Sequence, residues 1–269
     1  MKSIYCAILA QIYEISGLDM DLPLVIIITL TVSSILGGVL NAISGGAGMI
    51  IVPLMLVMGI PPINAIAVNK FQNTLGSSTA AYQYLRKGFL DIQSNWPLLV
   101  YALLGSCTGV GLLQWFSAAG ILETIIPYVL IFIGLYFAFA PKASNSASEP
   151  KMSKTRFNAI IGTSSGLYGG FFGMGTGPSL VLAFSALRGY DLRLAVTNSR
   201  LVMMVIHSSS LIILMIGGHV WWLIAICMAL GNMAGSYIGS HLLIKSGHGF
   251  IKGLLVIVPL ASAVKLLFF

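Results

Sequence analysis

The sequence predicts an all-α integral membrane protein made of two inverted-topology repeats of about five segments each, with broken or short helices near glycine-rich breaks. Three observations carry this. Hydrophobic residues fill 57% of the 269 positions and charged residues 8%, against roughly 25% charged in a soluble domain, and the mean hydropathy is +0.96. Apolar stretches of the roughly 20 residues that span a bilayer as helix recur along the whole length. Runs such as IPYVLIFIGLYFAFA at 126–140 do not alternate as the strands of a membrane β-barrel do. Third, AVNKFQNT at 67–74 and AVTNSRLV at 195–202 open alike and each carry one cation inside an apolar run.

In chain order, residues 1–22 begin MKSIYCAILAQIYEISG, like a secretory signal. They lack an A-x-A-like cleavage site and contain Glu14, so a retained interfacial segment is expected. The first membrane repeat, 23–140, reads as a long helix near Leu24–Ile43, the break ISGGAGM at 43–49, a short helix at 50–58 and three further helices. PKASNSASEPKMSKTR at 141–156 is the only extended polar stretch, and its composition marks a linker. The second repeat, 157–269, repeats the order: a long helix at 157–172, the break FGMGTGP at 172–178, a short helix at 178–187 and three more. One offset of 128 residues relates Ala67 to Ala195, Gly45 to Gly173 and Gly38 to Gly166. With a slip of two residues, Gly105 and Gly109 match Gly231 and Gly235, and Gly88 matches Gly218.

Orientation follows from the excess of lysine and arginine in cytoplasmic loops. Arg86 and Lys87 put the loop after the third segment inside; two helices later the linker, with Lys142, Lys151, Lys154 and Arg156, returns there. In the second half Arg188 and Arg193 precede the third segment and Lys245 and Lys252 follow the fourth, while GGHVWW, the counterpart of the Arg86-Lys87 loop, has no basic residue. Matching loops therefore fall on opposite sides. Both termini are then outside, in keeping with Glu14, Asp19 and Asp21. The net charge of +7 belongs to these loops and gives no nucleic-acid surface. Cys6, Cys107 and Cys227 lack metal-ligand spacing and read as small buried hydrophobes.

Two residues carry the chemistry. If the third segment starts near Pro62, a rise of about 1.5 Å per residue puts Lys70 on the order of 10 Å into the bilayer, and Arg200 lies as deep from the other face. Deep charges normally have a partner or face an aqueous cavity. The acids, Glu14, Asp19, Asp21, Asp91, Glu123, Glu149 and Asp191, all fall in loops or near segment ends. A bound anion supplied from outside would neutralise Lys70 and Arg200. The alternative is that both cations bond backbone carbonyls freed at the helix breaks.

At helical spacing Lys70 shares a face with Asn73, Thr74 and Ser77, and Arg200 with Thr197 and His207. Asn69, Asn73, Thr197 and Asn198 are candidate donors to the anion. Gly45 and Gly46 in the first break, and Gly173, Gly175 and Thr176 in the second, lie where backbone N–H groups at a helix start favour an anion. Gly105-Gly109 and Gly235-Gly239 read instead as close helix packing. His207 is the candidate for proton coupling, because imidazole titrates near neutrality; a histidine simply hydrogen-bonded in the bundle fits equally. Two rival functions use the same residues differently. A passive anion channel shares the whole site, and GTSSG at 162–166 with His207 forms the skeleton of an intramembrane serine hydrolase around Ser164.

GGAGMIIVP, GIPP, AVNKFQ and the Arg86-Lys87-Gly88 turn with Asp91 beyond it, followed by GLYGGFFGMGTG and GGHVWW, together resemble the TauE/SafE family of membrane permeases. The resemblance runs in order through both halves, from about residue 24 onward. It implies transport of small, often sulfur-containing anions such as sulfite, sulfoacetate and other organosulfonates across a bacterial cytoplasmic membrane. The chain departs from the family pattern in the shorter glycine run before Met49 and in a second half without the Val-Pro and Pro-Pro of the first. Implied partners are a small anionic substrate and the lipid bilayer, with a homodimer left open. No cofactor, metal or nucleic acid is called for.

Overall fold

A computed structural model describes residues 21–122, 124–126, 128, 129, 132 and 147–245. The expected interfacial segment up to residue 20, Glu123, most of the fifth segment of each half and the first part of the linker lie outside the described residues. Regular structure among the described residues is entirely helical: α1 (Asp21–Ile43), α2 (Gly48–Val57), α3 (Pro62–Arg86), α4 (Ile92–Ala118), α5 (Lys154–Phe157), a π-helical turn (Asn158–Gly162), α6 (Thr163–Phe171), α7 (Thr176–Arg188), α8 (Leu192–Ile216) and α9 (Trp222–Lys245).

Local chemistry sets the ends. Pro62 starts α3, where a missing N–H costs nothing and the fixed φ suits the first turn. Two of the chain's few carboxylates are N-caps: Asp91 accepts from Ser94 N at 3.2 Å ahead of α4, and Asp191 from Leu194 N at 2.7 Å ahead of α8. Their chemistry is spent on orphan N–H groups at the helix ends, well away from the cations.

Four helices are long and apolar enough to cross a membrane, Leu24–Ile43, Ile92–Ala118, Leu192–Ile216 and Trp222–Lys245, so the chain is a multi-pass membrane protein. Helix α3 is as long at 25 residues but carries its amides and hydroxyls inward, with Asn69, Lys70, Gln72, Asn73 and Ser77 all buried. It packs on α8 and α9; α8 in turn packs on α4. The flanks are two tight pairs, α1 with α9 and α4 with α6.

Apolar side chains gather in two clusters. One holds Leu30, Val52, Ile66, Met174 and Leu214; the other holds Ile43, Tyr84, Phe157, Val181 and Val196. Helix α1 runs from the first cluster to the second and α2 turns back, whereas the α5–α6 run goes from the second to the first and α7 turns back. The polar residues of α3 and the two glycine breaks lie between the clusters.

Candidate functional site

The site is built by the two breaks. At the end of α1, Gly45 takes φ +77° and its N–H turns to Leu40 O at 3.0 Å. At the end of α6, Gly173 takes the same φ of +77° and turns to Tyr168 O at 3.4 Å. In a continuing helix these N–H groups would bond the carbonyls four residues back, so the turns release Asn41 O and Gly169 O. Each released carbonyl receives a cation from the other half of the chain. Arg200 Nη1 donates to Asn41 O at 2.7 Å, and Lys70 Nζ donates to Gly169 O. A helix C-terminus carries partial negative charge, so both cations sit where two helix ends favour them. Both are fully buried, at 0% exposure.

Arg200 is further held by Ser199 Oγ, which accepts from Nη2 at 2.8 Å and from Nε at 3.2 Å. The breaks touch each other: a Cβ on Gly177 would come within 2.8 Å of Gly45 Cα, and one on Gly48 within 3.6 Å of Met174 Cγ and 3.1 Å of Asn69 Nδ2. Tyr84 Oη donates to Ala42 O at 3.0 Å and Tyr168 Oη to Met174 O at 2.6 Å, satisfying two more carbonyls at the breaks.

Beside Lys70 lies a buried network. Ser34 Oγ donates to Gln72 Oε1 at 2.7 Å, while Gln72 Nε2 and Asn73 Nδ2 both donate to Asn69 Oδ1 at 3.2 and 3.0 Å. Asn232 and Ser236 of α9 extend it. Asn73 is thus engaged beside α1 and α9. Thr197 and Asn198 are not brought to the cations: Thr197 Oγ1 donates to Leu194 O at 3.1 Å and Phe89 O at 3.3 Å, and Asn198 Oδ1 accepts from Asn95 Nδ2 of α4 at 2.8 Å. Gathered at the breaks are Lys70, Arg200, Asn69, Gly45, Gly46, Gly173, Gly175, Thr176 and His207. Sequence reasoning missed Asn41, Ser199, Tyr84 and Asn232. The offset of 128 that takes Gly45 to Gly173 also takes Asn41 to Gly169, which is the signal that would have found the two carbonyls.

The family model described as sulfite exporter TauE/SafE matches residues 30–266. This chain belongs to the sulfite exporter TauE/SafE family. Curated relatives of the TauE/SafE chain are similar over nearly their whole length. A probable membrane transporter protein of Haemophilus influenzae is 29% identical over 249 residues, 93% of this chain and 97% of its own length. The probable membrane transporter protein YfcA of Escherichia coli K12 is 32% identical over 235 residues, 87% of each chain. ORF9 of a Sinorhizobium species, also a probable membrane transporter protein, is 31% identical over 247 residues, 92% of this chain and 94% of its own. No solved structure matches.

A TauE/SafE chain is a membrane transporter and not an enzyme, and the hydrolase skeleton is not assembled in this one. Ser164 is exposed on α6, its Oγ donating to Ile161 O at 3.4 Å, whereas His207 is buried with neither ring nitrogen bonded among the described residues. Ser164→Ala is accordingly expected to leave flux through purified, reconstituted protein unchanged, and a serine-reactive phosphonate is expected not to label the wild type.

Three side chains at the TauE/SafE breaks hold donors without partners among the described residues: Asn69 Nδ2, Thr176 Oγ1 and the His207 ring. All are at least 99% buried. Burying such groups unpaired costs roughly 1–3 kcal/mol each, and native interiors leave few of them. Thr176 opens α7, whose N-cap Gly175 supplies no side-chain bond, and Asn69 Nδ2 borders Gly48 at the start of α2. Both short helices thus present an uncapped start and an unused donor.

Proposed function

We propose that the chain is a secondary transporter carrying a small anion, a sulfur-containing one such as sulfite or an organosulfonate, across the bacterial cytoplasmic membrane. The observation that carries the reading is the pair of wholly buried cations, Lys70 and Arg200, bonded at the two breaks to neutral carbonyls. Helix ends give each only about half a compensating charge. An anion brought to the breaks completes the neutralisation, with Asn69, Thr176 and the amides of the glycine breaks as proposed donors. Residues 23–140 and 157–269 are the proposed inverted repeats, joined by the cytoplasmic linker 141–156 and preceded by an interfacial segment, 1–22. The opposite courses of α1–α2 and α5–α7, and the matched pairs α1–α9 and α6–α4, support that symmetry. Such repeats with broken helices at midmembrane are the architecture of alternating access.

A polar layer closed by an apolar cluster on either side favours a carrier over a continuously open channel. Saturating flux that depends on an ion gradient separates the two. Lys70→Gln and Arg200→Gln are each expected to cut sulfite or sulfonate flux in proteoliposomes about ten- to hundredfold, the worth of a charge-assisted hydrogen bond, while monodisperse protein is still recovered. Undiminished flux in both variants sinks the reading.

A further inference from the structure

We propose that the anion seats on Lys70, Asn69, Thr176 and His207 at the second break, and that Arg200 is a positioning residue that fixes the first break without touching it. The proposal rests on the transporter reading and divides its two cations by role. Four of the five N–H donors of the Arg200 guanidinium are spent: Nη1 on Asn41 O and Oδ1, Nε and Nη2 on Ser199 Oγ. Lys70, with three N–H donors, makes one bond, to Gly169 O.

Two of the groups with capacity to spare belong to elements packed on that same carbonyl's residue: Thr176 of α7 and, one residue beyond Ile206, His207 of α8. A Cβ on Gly169 would lie 3.1 Å from Thr176 Cγ2 and 2.8 Å from Ile206 Cγ2, the chain neighbour of His207. Asn69 precedes Lys70, and its free Nδ2 lies by Gly48 at the point where Met174 of the second break packs. His207 is buried on α8 with neither ring nitrogen bonded among the described residues. Among the described residues no carboxylate competes here, and Thr176, Asn69 and His207 are each at most 1% exposed with unused polar atoms. A cation with two spare protons, an amide N–H, a hydroxyl and an imidazole suit a compact oxyanion that accepts from several directions. The charge of Lys70 repels a cation, and an apolar ligand would leave these buried polar groups unpaired.

The test uses the full chain, purified and reconstituted, with sulfite and methanesulfonate as probes and three readouts: dissociation constant by calorimetry, flux KM, and unfolding midpoint. Thr176→Val, nearly isosteric, His207→Gln and Lys70→Gln are expected to raise Kd and KM about tenfold or more. Arg200→Lys, which keeps the charge, and Ser199→Ala, which removes the guanidinium's side-chain acceptor, are expected to lower the unfolding midpoint while Kd stays within about twofold. Rescue of Kd by Arg200→Lys where Arg200→Gln lowers flux marks positioning. If Arg200→Lys and Ser199→Ala weaken binding as much as Lys70→Gln, or if Thr176→Val and His207→Gln leave Kd unaltered, the division of roles is overturned while the transporter reading stands. If the wild type shows neither flux nor anion-dependent stabilisation, the transporter reading fails and takes this proposal with it.

Discussion

Gly45→Ala is expected to lower the unfolding midpoint far more than Gly59→Ala, although both replace a glycine with a left-handed backbone. The φ values are +77° and +82°, so each alanine incurs the same penalty of roughly 1–2 kcal/mol for its Cβ. At Gly59 nothing lies within 4 Å of that Cβ. At Gly45 it would stand 2.4 Å from both terminal guanidinium nitrogens of Arg200 and 2.8 Å from Cζ. The planar head is pinned by Asn41 O on one side and Ser199 on the other, so it yields only by leaving them. Separating a buried charge from its partners costs about 3–5 kcal/mol, a large part of the roughly 5–15 kcal/mol that holds a typical domain together. Gly173→Ala falls between, since its Cβ meets the far end of a flexible chain, Lys70 Nζ at 2.9 Å. Midpoints of purified protein in detergent should rank Gly59→Ala above Gly173→Ala above Gly45→Ala. Equal losses at 45 and 59 would falsify the packing of Arg200 on the first break.

Gly45 and Gly173 of that ranking were legible in the sequence because the 128-residue offset marked them together and a positive φ favours that residue type; Gly59 was not singled out. Lys70 and Arg200 were legible as cations in apolar surroundings. Their acceptors were not, because a backbone carbonyl has no letter: Asn41 and Gly169 matter through a turn that takes away their helical partners. The register also hides an asymmetry. Strictly aligned, Lys70 corresponds to Asn198 and Arg200 to Gln72, so the two cations are two residues, or about 200° of helix, out of step. Gln72 duly joins the amide network with Ser34, and Asn198 pairs with Asn95.

Thr197 shared a helical face with Arg200 on paper, yet its hydroxyl returns to Leu194 O three residues back, a local bond that hydroxyls on helices commonly make. The fold was read more fully than the site. Spans, breaks and short helices follow from hydropathy and glycine, whereas α3, too polar to rank among the apolar spans, takes its central place from what its amides bond.

Gly109→Val and Gly235→Val are expected to be the most damaging changes outside the breaks, each costing about 3 kcal/mol or more as overpacking. A Cβ at Gly109 would lie 2.1 Å from Leu167 O, and one at Gly235 1.9 Å from Ile35 O. The obstacle in both cases is backbone, which no rotamer change can move aside. Gly111, on the same helix as Gly109, has nothing within 4 Å, so Gly111→Val is the control and should be neutral or stabilise by a few tenths of a kcal/mol, valine being a better helix former than glycine. The seams matter beyond stability, because the helices these glycines press against, α6 and α1, are the ones that end at the breaks. Prising α4 from α6 shifts Gly169 O relative to Lys70, and prising α9 from α1 shifts Asn41 O relative to Arg200. The milder Gly109→Ala should therefore lose flux while folded protein is still recovered, with Gly111→Ala transporting normally. Equal flux in those two variants would separate the seam from the site, leaving close helix packing as its whole purpose.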